Sequence, residues 1–393
     1  ETVSAPSICD RNASRSWAAR GRLYIEGTFH GLLQAGYNAG WAPICIGSHY
    51  AVRTTALKEI GGLGPELAED HSTTLMMNAH GWRGVHAFDA IAKGYGPATF
   101  ADLVQQEYQW ARSLVTILLK YSPQYVGRLN GWLRFLFLFC QLWYPLLSLC
   151  MLFIYITPIA ALLMGERYVN IGYLQFLAFF IALEALLCVM ALDWRRNGWC
   201  RPADIRIFSW EGVLYTFAKW PWILAGTVVA VYDHFTRAVV DFRVTPKGNV
   251  SAPPVPGRVL LPYALLAIGS SLPVLLIDSA GTASGFYIFA ALNAFIYASI
   301  VAVVYVNHQR ENNIPFVALI MPRAVARVAC VGLACVLPMW ALSQRAAEGV
   351  EALTWGSKWL QLTHTTYSVS GAGRHGTNAR NVRFRFPWRR QPE

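Results

Sequence analysis

Charge is scarce in this chain of 393 residues: only 14% are Asp, Glu, Lys or Arg. That scarcity, against 55% hydrophobic residues, excludes a disordered or solvating polypeptide. Acids are the scarcer sign, 22 against 33 Lys and Arg, for a formal net charge of +11. The eight cysteines form no CxxC and no Cys/His pair at metal spacing, which argues against a zinc site, a redox motif and a disulfide-stapled miniprotein. No Met begins the chain and no signal peptide or apolar helix precedes its first polar region; the expectation is a chain truncated at its N-terminus.

The apolar residues gather in runs of about twenty, the length that crosses a hydrocarbon core at about 1.5 Å per residue. A basic excess in such a chain reflects the positive-inside rule and anionic lipid, so no nucleic-acid partner is expected. Residues 1–130 read as water-facing, 131–342 as the membrane region and 343–393 as a peripheral or disordered tail. The expected spans are 133–164, 171–192, 259–277, 286–306 and a shorter 328–342, with Pro145 and Pro158 expected to kink the first. Residues 213–231 are apolar but carry Lys219 and Trp220-Pro221-Trp222, with Tyr232 beside them, so they read as a helix lying in the interface. Basic residues fill 193–212, 232–258 and 307–327 but are nearly absent from 165–171 and 278–285, which places the first three, and the N-terminal region, on the cytosolic side. Glu184 is a lone carboxylate in a span, where it must pair or face a wet cavity.

Three segments carry candidate chemistry. In Leu67-Ala68-Glu69-Asp70 two acids open a helix, where carboxylates also serve as simple caps. Gln105-Gln106-Glu107-Tyr108-Gln109-Trp110-Ala111-Arg112 reads by itself as an amphipathic helix near the membrane. Asp241-Phe242-Arg243-Val244-Thr245-Pro246-Lys247-Gly248 reads by itself as a turn. His71 and His80 read as solvated or capping rather than metal-bound.

Taken together and in this order, the segments resemble the processive family 2 glycosyltransferases, the cellulose-synthase-like membrane enzymes. Glu69-Asp70 resembles the last acidic pair of the catalytic domain, Gln106 to Trp110 the Gln-x-x-Arg-Trp signature, and Phe242-x-Val244-Thr245-x-Lys247 the gating loop, read here over 233–250. Cys45-Ile46-Gly47-Ser48 is similar to an acceptor-side Phe-Cys-Gly-Ser segment, and Gly81-Trp82 also fits. The resemblance implies the C-terminal portion of an α/β, GT-A-type catalytic domain followed by α-helical membrane spans. It implies an inverting hexosyltransferase that moves sugar from a nucleotide sugar, UDP-linked, to a growing β-linked polysaccharide and helps translocate it. Acting on a lipid or short acceptor, or serving as a non-catalytic channel or scaffold, are the alternatives.

Under the resemblance Asp70, beside Glu69, takes the proton of the attacking sugar hydroxyl. Trp110, Cys45, Gly47 and Ser48 bind the acceptor. Gln106, Gln109, Arg112, Phe242, Val244, Thr245 and Lys247 serve the nucleoside diphosphate. The signature's Arg is Gln109 here, so Arg112 and Lys247 are the cations expected to substitute. Asp10 is the only aspartate before Asp70. The ligands for Mg²⁺ or Mn²⁺ and for the nucleotide are therefore expected upstream of this chain, with no metal site within it. The expected setting is a bacterial inner (plasma) membrane, catalytic part in the cytosol, with membrane lipid and accessory export subunits as further partners. A cysteine introduced at Gly248 should resist an impermeant thiol reagent added outside intact cells, and one introduced at Ser279 should react; labelling at Gly248 would overturn the orientation.

Overall fold

The computed structural model describes residues 2–38, 42–168, 172–237, 254–314, 322–354, 361–367 and 379–385. The gating-loop positions Phe242, Val244, Thr245 and Lys247 lie outside them. The chain divides into two units, the first comprising 1–153, 189–262 and 302–325, the second 154–188, 263–301 and 326–393.

Among the described residues the strands are β1 (Thr2–Ser4), β2 (Ser7–Ile8), β3 (Tyr50–Val52), β4 (Gly84–His86), β5 (Ala92–Lys93), β6 (Gln361–Tyr367) and β7 (Ala379–Arg385). Among them the α-helices are α1 (Trp17–Glu26), α2 (Gln34–Tyr37), α3 (Thr54–Glu59), α4 (Glu69–Ala79), α5 (Phe100–Thr116), α6 (Ser122–Tyr125), α7 (Gly131–Met164), α8 (Tyr173–Arg196), α9 (Trp210–Thr236), α10 (Gly257–Leu276), α11 (Phe286–Glu311) and α12 (Pro322–Thr354).

In the first unit β1 is central, antiparallel to β3 and parallel to β4, with Val3 opposite both Ala51 and Val85; β2 pairs in parallel with β5. Helix α1 starts where Ser16 accepts the Ala19 N–H and continues through a π-helical stretch, Gly27–Leu33, into α2. Gly27 and Gly31 permit this close passage, because a Cβ at either would press on the backbone of Arg201. Helix α4 ends on Gly81, whose φ of +86° suits a residue without a Cβ, and the Trp82 N–H returns to the Met77 carbonyl. Helix α5 begins with a capping box, Thr99 and Asp102 each receiving the other's backbone N–H.

The tightest helix pair is α5 on α9. Tyr215 donates to Glu107 at 2.8 Å, and Arg112 holds Asp233 through its Nε at 2.7 Å. Between these ties Gly226 lets the backbones meet, since a Cβ there would strike the Tyr108 carbonyl and approach Ala111 Cβ at 3.2 Å.

In the second unit a core of mostly small residues, among them Ala161, Ala280, Ala283, Ala290 and Ala341, lets segments of α7, α11 and α12 approach. Buried polar groups are satisfied across helices: Tyr155 donates to Leu266 O at 3.0 Å and Tyr287 to Ile277 O at 2.7 Å.

Among the described residues five helices, α7 to α11, are long and apolar enough to cross a membrane. Helix α7 runs unbroken past both Pro145 and Pro158. Helix α9 extends beyond the 213–231 read from sequence and meets that measure; the expected span 328–342 lies within α12. No residue of α8 is buried, and Glu184 is exposed on it. The tail, expected to be a peripheral or disordered extension, continues α12 to Thr354 and carries an antiparallel pair, β6 with β7, in the register Gln361 to Arg385 and Tyr367 to Ala379. The alternation in Leu362-Thr363-His364-Thr365 and Val382-Arg383-Phe384-Arg385 is the period-two signal that the tail's basic composition obscured.

Replacing Gly226 with Ala forces α5 and α9 apart. It should lower stability by about 1–3 kcal/mol, read as a fall in melting temperature of the detergent-solubilised chain, while Gly36→Ala, with open space around it, should not.

Candidate active site

Helix α4 opens on Ala68, which has no side chain to cap it; the Ala68 N–H instead donates to Ser113 Oγ of α5 at 2.9 Å. The two acids that follow do more than cap. Asp70 accepts the His71 N–H at 2.7 Å on one oxygen and the Gly47 N–H at 3.0 Å on the other, so half its hydrogen bonding goes to a loop 23 residues away. Gly47 is required by this approach, because a Cβ there would stand 3.2 Å from Asp70 Oδ2 and 3.5 Å from Glu69 Oε1. One turn on, Thr74 Oγ1 accepts the Cys45 N–H at 2.9 Å and donates to the Asp70 carbonyl, fixing the loop at a second point.

Burial, and then the Glu69 charge, push the Asp70 carboxyl up to about 6. Burial also raises Glu69. The Cys45 thiol is pushed up to about 11, chiefly by burial, which leaves it a small apolar wall rather than a nucleophile. His71 is neither solvated nor a cap, contrary to the expectation above. It is buried, its ring edge-on to Phe137, and its Nε2 lies 3.0 Å from Gln141 Nε2, whose Oε1 in turn accepts Ser122 Oγ–H at 2.7 Å. Since Gln141 Nε2 can only donate, His71 is neutral there, consistent with burial pushing it down to about 4. The apolar neighbours that enclose it come from α7, far along the chain, which local sequence does not reveal.

A cavity of about 780 Å³ opens beside α4. Glu69, Asp70, Cys45, Gly47, Ser48, Gln106 and Trp110 all line it. Gln106 and Trp110 are one helical turn apart on α5 and share its cavity face. Gln109 falls on another face and is buried outside the cavity wall. Arg112, expected to stand in for the missing Arg, also lies off this wall. It is committed to Asp233 in a well-shielded ion pair, because the helical rotation that points Trp110 into the cavity turns Arg112 toward α9.

Sequence reasoning missed several wall residues. Arg22 and Glu26 reach the cavity from α1, Phe29 and His30 from the π-helical stretch, Phe139, Trp143 and Tyr144 from α7, and Lys219 from α9. Arg22 stacks on Trp110 with its guanidinium carbon 4.1 Å from the ring centroid, and its Nε donates to Glu26 at 2.9 Å. The available signal was the Arg22 and Glu26 pair at i, i+4, but a π-helical stretch breaks the 3.6 period by which a face is read. Buried His30 contacts the Ser7 carbonyl through Nδ1 at 2.7 Å, and desolvation pushes it down to about 4. Among the described residues, no group of three or more His, Cys, Asp or Glu is placed to hold a metal ion.

Residues 2–192 match the family described as glycosyl transferase family group 2. The chain is 30% identical over 162 residues to cellulose synthase A catalytic subunit 6 (UDP-forming) of Arabidopsis thaliana, which covers 39% of this chain and 15% of that protein. It is 32% identical over 105 residues to the cellulose synthase catalytic subunit (UDP-forming) of Xanthomonas axonopodis pv. citri, covering 26% of this chain and 14% of that one. The chain thus matches about one seventh of the length of these relatives. Glu69-Asp70, Gln106 and Trp110 gather on one cavity inside the matched region, and it is over residues 2–192 that the chain is similar to the family 2 glycosyltransferases and, within them, to cellulose synthase catalytic subunits.

Proposed function

We propose that the cavity is the acceptor end of an inverting glycosyltransferase that extends a β-linked polysaccharide from a UDP-sugar. The observation that carries this reading is the Asp70 carboxylate, anchored by Gly47 and raised toward neutrality, on the same cavity wall as Trp110 and Gln106. A sugar hydroxyl beside Asp70 gives up its proton to the carboxylate as its oxygen forms the new bond to the donor's anomeric carbon. The bond from that carbon to the diphosphate oxygen breaks, and the nucleoside diphosphate leaves with the electron pair. Gly47 holds Asp70 in place, Trp110 and the cavity aromatics receive the acceptor's apolar faces, and Gln106 offers an amide to it.

The catalytic region is read as the C-terminal portion of a GT-A-type domain, with nucleotide and divalent-ion ligands supplied by sequence outside this chain. The ion would meet the charge of the leaving diphosphate. The gating segment around Phe242, Val244, Thr245 and Lys247 is proposed to close over the donor. The apolar helices would pass the polymer through a bacterial inner membrane, the catalytic part on the cytosolic side.

Asp70 must be ionised to accept a proton. Its pKa near 6 predicts sugar incorporation that is full above neutrality and falls tenfold per pH unit well below 6. Gly47→Ala, which displaces a hydrogen bond that favours the charged form, should move this acid limb upward. Asp70→Asn should lower incorporation of labelled UDP-sugar by about 10²- to 10⁴-fold in membranes carrying the protein with its complete catalytic region. A wild-type rate in that variant would reduce Asp70 to a tether for the Cys45 to Ser48 loop.

A further inference from the structure

Two cations of this cavity have no role in the chemistry above. Arg22 reaches it from α1, lying over Trp110 with its centre 4.1 Å from the ring centroid. Its Nε is taken by Glu26 at 2.9 Å, and the other Glu26 oxygen accepts the Cys9 N–H at 2.8 Å. Glu26 therefore orients Arg22 and presents no free acceptor edge of its own. The Nη1 and Nη2 groups of Arg22 hydrogen-bond to none of the described residues, although the side chain is only 16% exposed. Lys219 reaches the cavity from α9, half-buried, and forms no ion pair among the described residues; its ammonium lies 5.8 Å from the Tyr215 ring centroid. Glu107, the acid nearest in sequence to Trp110, is buried and accepts the Tyr215 hydroxyl at 2.8 Å; its charge acts on Arg22 through space but it makes no hydrogen bond to either cation among the described residues.

A guanidinium pressed on an indole alters what that indole can bind. A bare face suits a neutral sugar ring, whereas an oriented Arg with two free N–H edges suits an oxyanion. A half-buried lysine that lines the cavity without an ion pair among the described residues is placed to meet an anionic ligand there. Building on the acceptor reading of this cavity, we infer that the acceptor sugar carries an oxyanion, the carboxylate of a uronic acid or a phosphate ester, which Arg22 and Lys219 receive while the neutral face of the chain lies along the cavity aromatics.

The test uses the full chain in nanodiscs of zwitterionic lipid, with calorimetric titration of four probes: a neutral tetraglucoside, a tetraglucuronide, the tetraglucoside bearing one phosphate ester, and UDP. The expected result is binding of at least one acidic chain about tenfold or more tighter than the neutral one; the two acidic probes separate carboxylate from phosphate. That preference should weaken with salt, disappear in Lys219→Gln and persist in Lys219→Arg. Because Arg22→Gln alone would strand a buried carboxylate, the paired change Arg22→Gln with Glu26→Gln tests the first cation, and it too should erase the preference. Equal affinity for neutral and acidic chains, or a preference untouched by both changes, overturns the inference. So does UDP binding that depends on Arg22 without any preference among the sugars, which would assign Arg22 to the leaving group. If the neutral chain binds and Trp110→Ala abolishes it, the acceptor reading stands whatever the acidic probes do; if no sugar binds, that reading falls and takes the inference with it.

Discussion

The seam between α5 and α9 is the constraint on which the rest of the site depends. Gly226 brings the two backbones together, and the seam is closed on either side by Glu107 with Tyr215 and by Arg112 with Asp233. With that face of α5 occupied, the helix has only one rotation left. Gln106 and Trp110 must look into the cavity, and Ser113 must meet the first N–H of α4. Buried ionic and hydrogen-bonded pairs of this kind add little net stability over an apolar isostere, but breaking one partner is costly, so they hold register firmly.

A second set of buried polar contacts then fixes the Asp70 end of the cavity. His71, one residue from Asp70, is neutral and bound to Gln141, which ties α4 to the start of α7. On the other side of Asp70, Gly47 and Cys45 are pinned to α4 by their own N–H groups. The carboxylate is thus desolvated without being mobile. Desolvation raises its proton affinity toward neutrality, while two backbone donors keep the raise moderate.

The cavity departs from the signature it resembles at one instructive place. Where the family pattern carries an Arg, this chain has Gln109, and the structure turns that position off the cavity wall while Arg112 answers Asp233. The positive charge of the cavity comes from elsewhere, from Arg22 on α1 and Lys219 on α9. Arg22 is held by Glu26 and lies over the signature's own Trp110, and Lys219 lies over Tyr215.

Much of the candidate site was legible in one dimension, because its residues belong to short motifs whose order along the chain is itself informative. Glu69-Asp70, Cys45 to Ser48, Gln106 and Trp110 meet on one cavity. Long apolar runs were equally legible, since one residue in a helix advances a fixed 1.5 Å whatever its partners. What sequence alone could not decide was which way a side chain points once helices pack. Gln109 is three residues from cavity-lining Gln106 and Arg112 two from Trp110, and the contact with Asp233 of α9 assigns the face of Arg112. Arg22 lies 88 positions before the Trp110 ring it covers, and His71 owes its burial to Phe137 on α7. Such meetings are set by long-range packing, which a local pattern of 3.6 or 2 residues does not encode; composition and period determined the elements and the motif residues, and tertiary contact alone determined the charge and depth of the site.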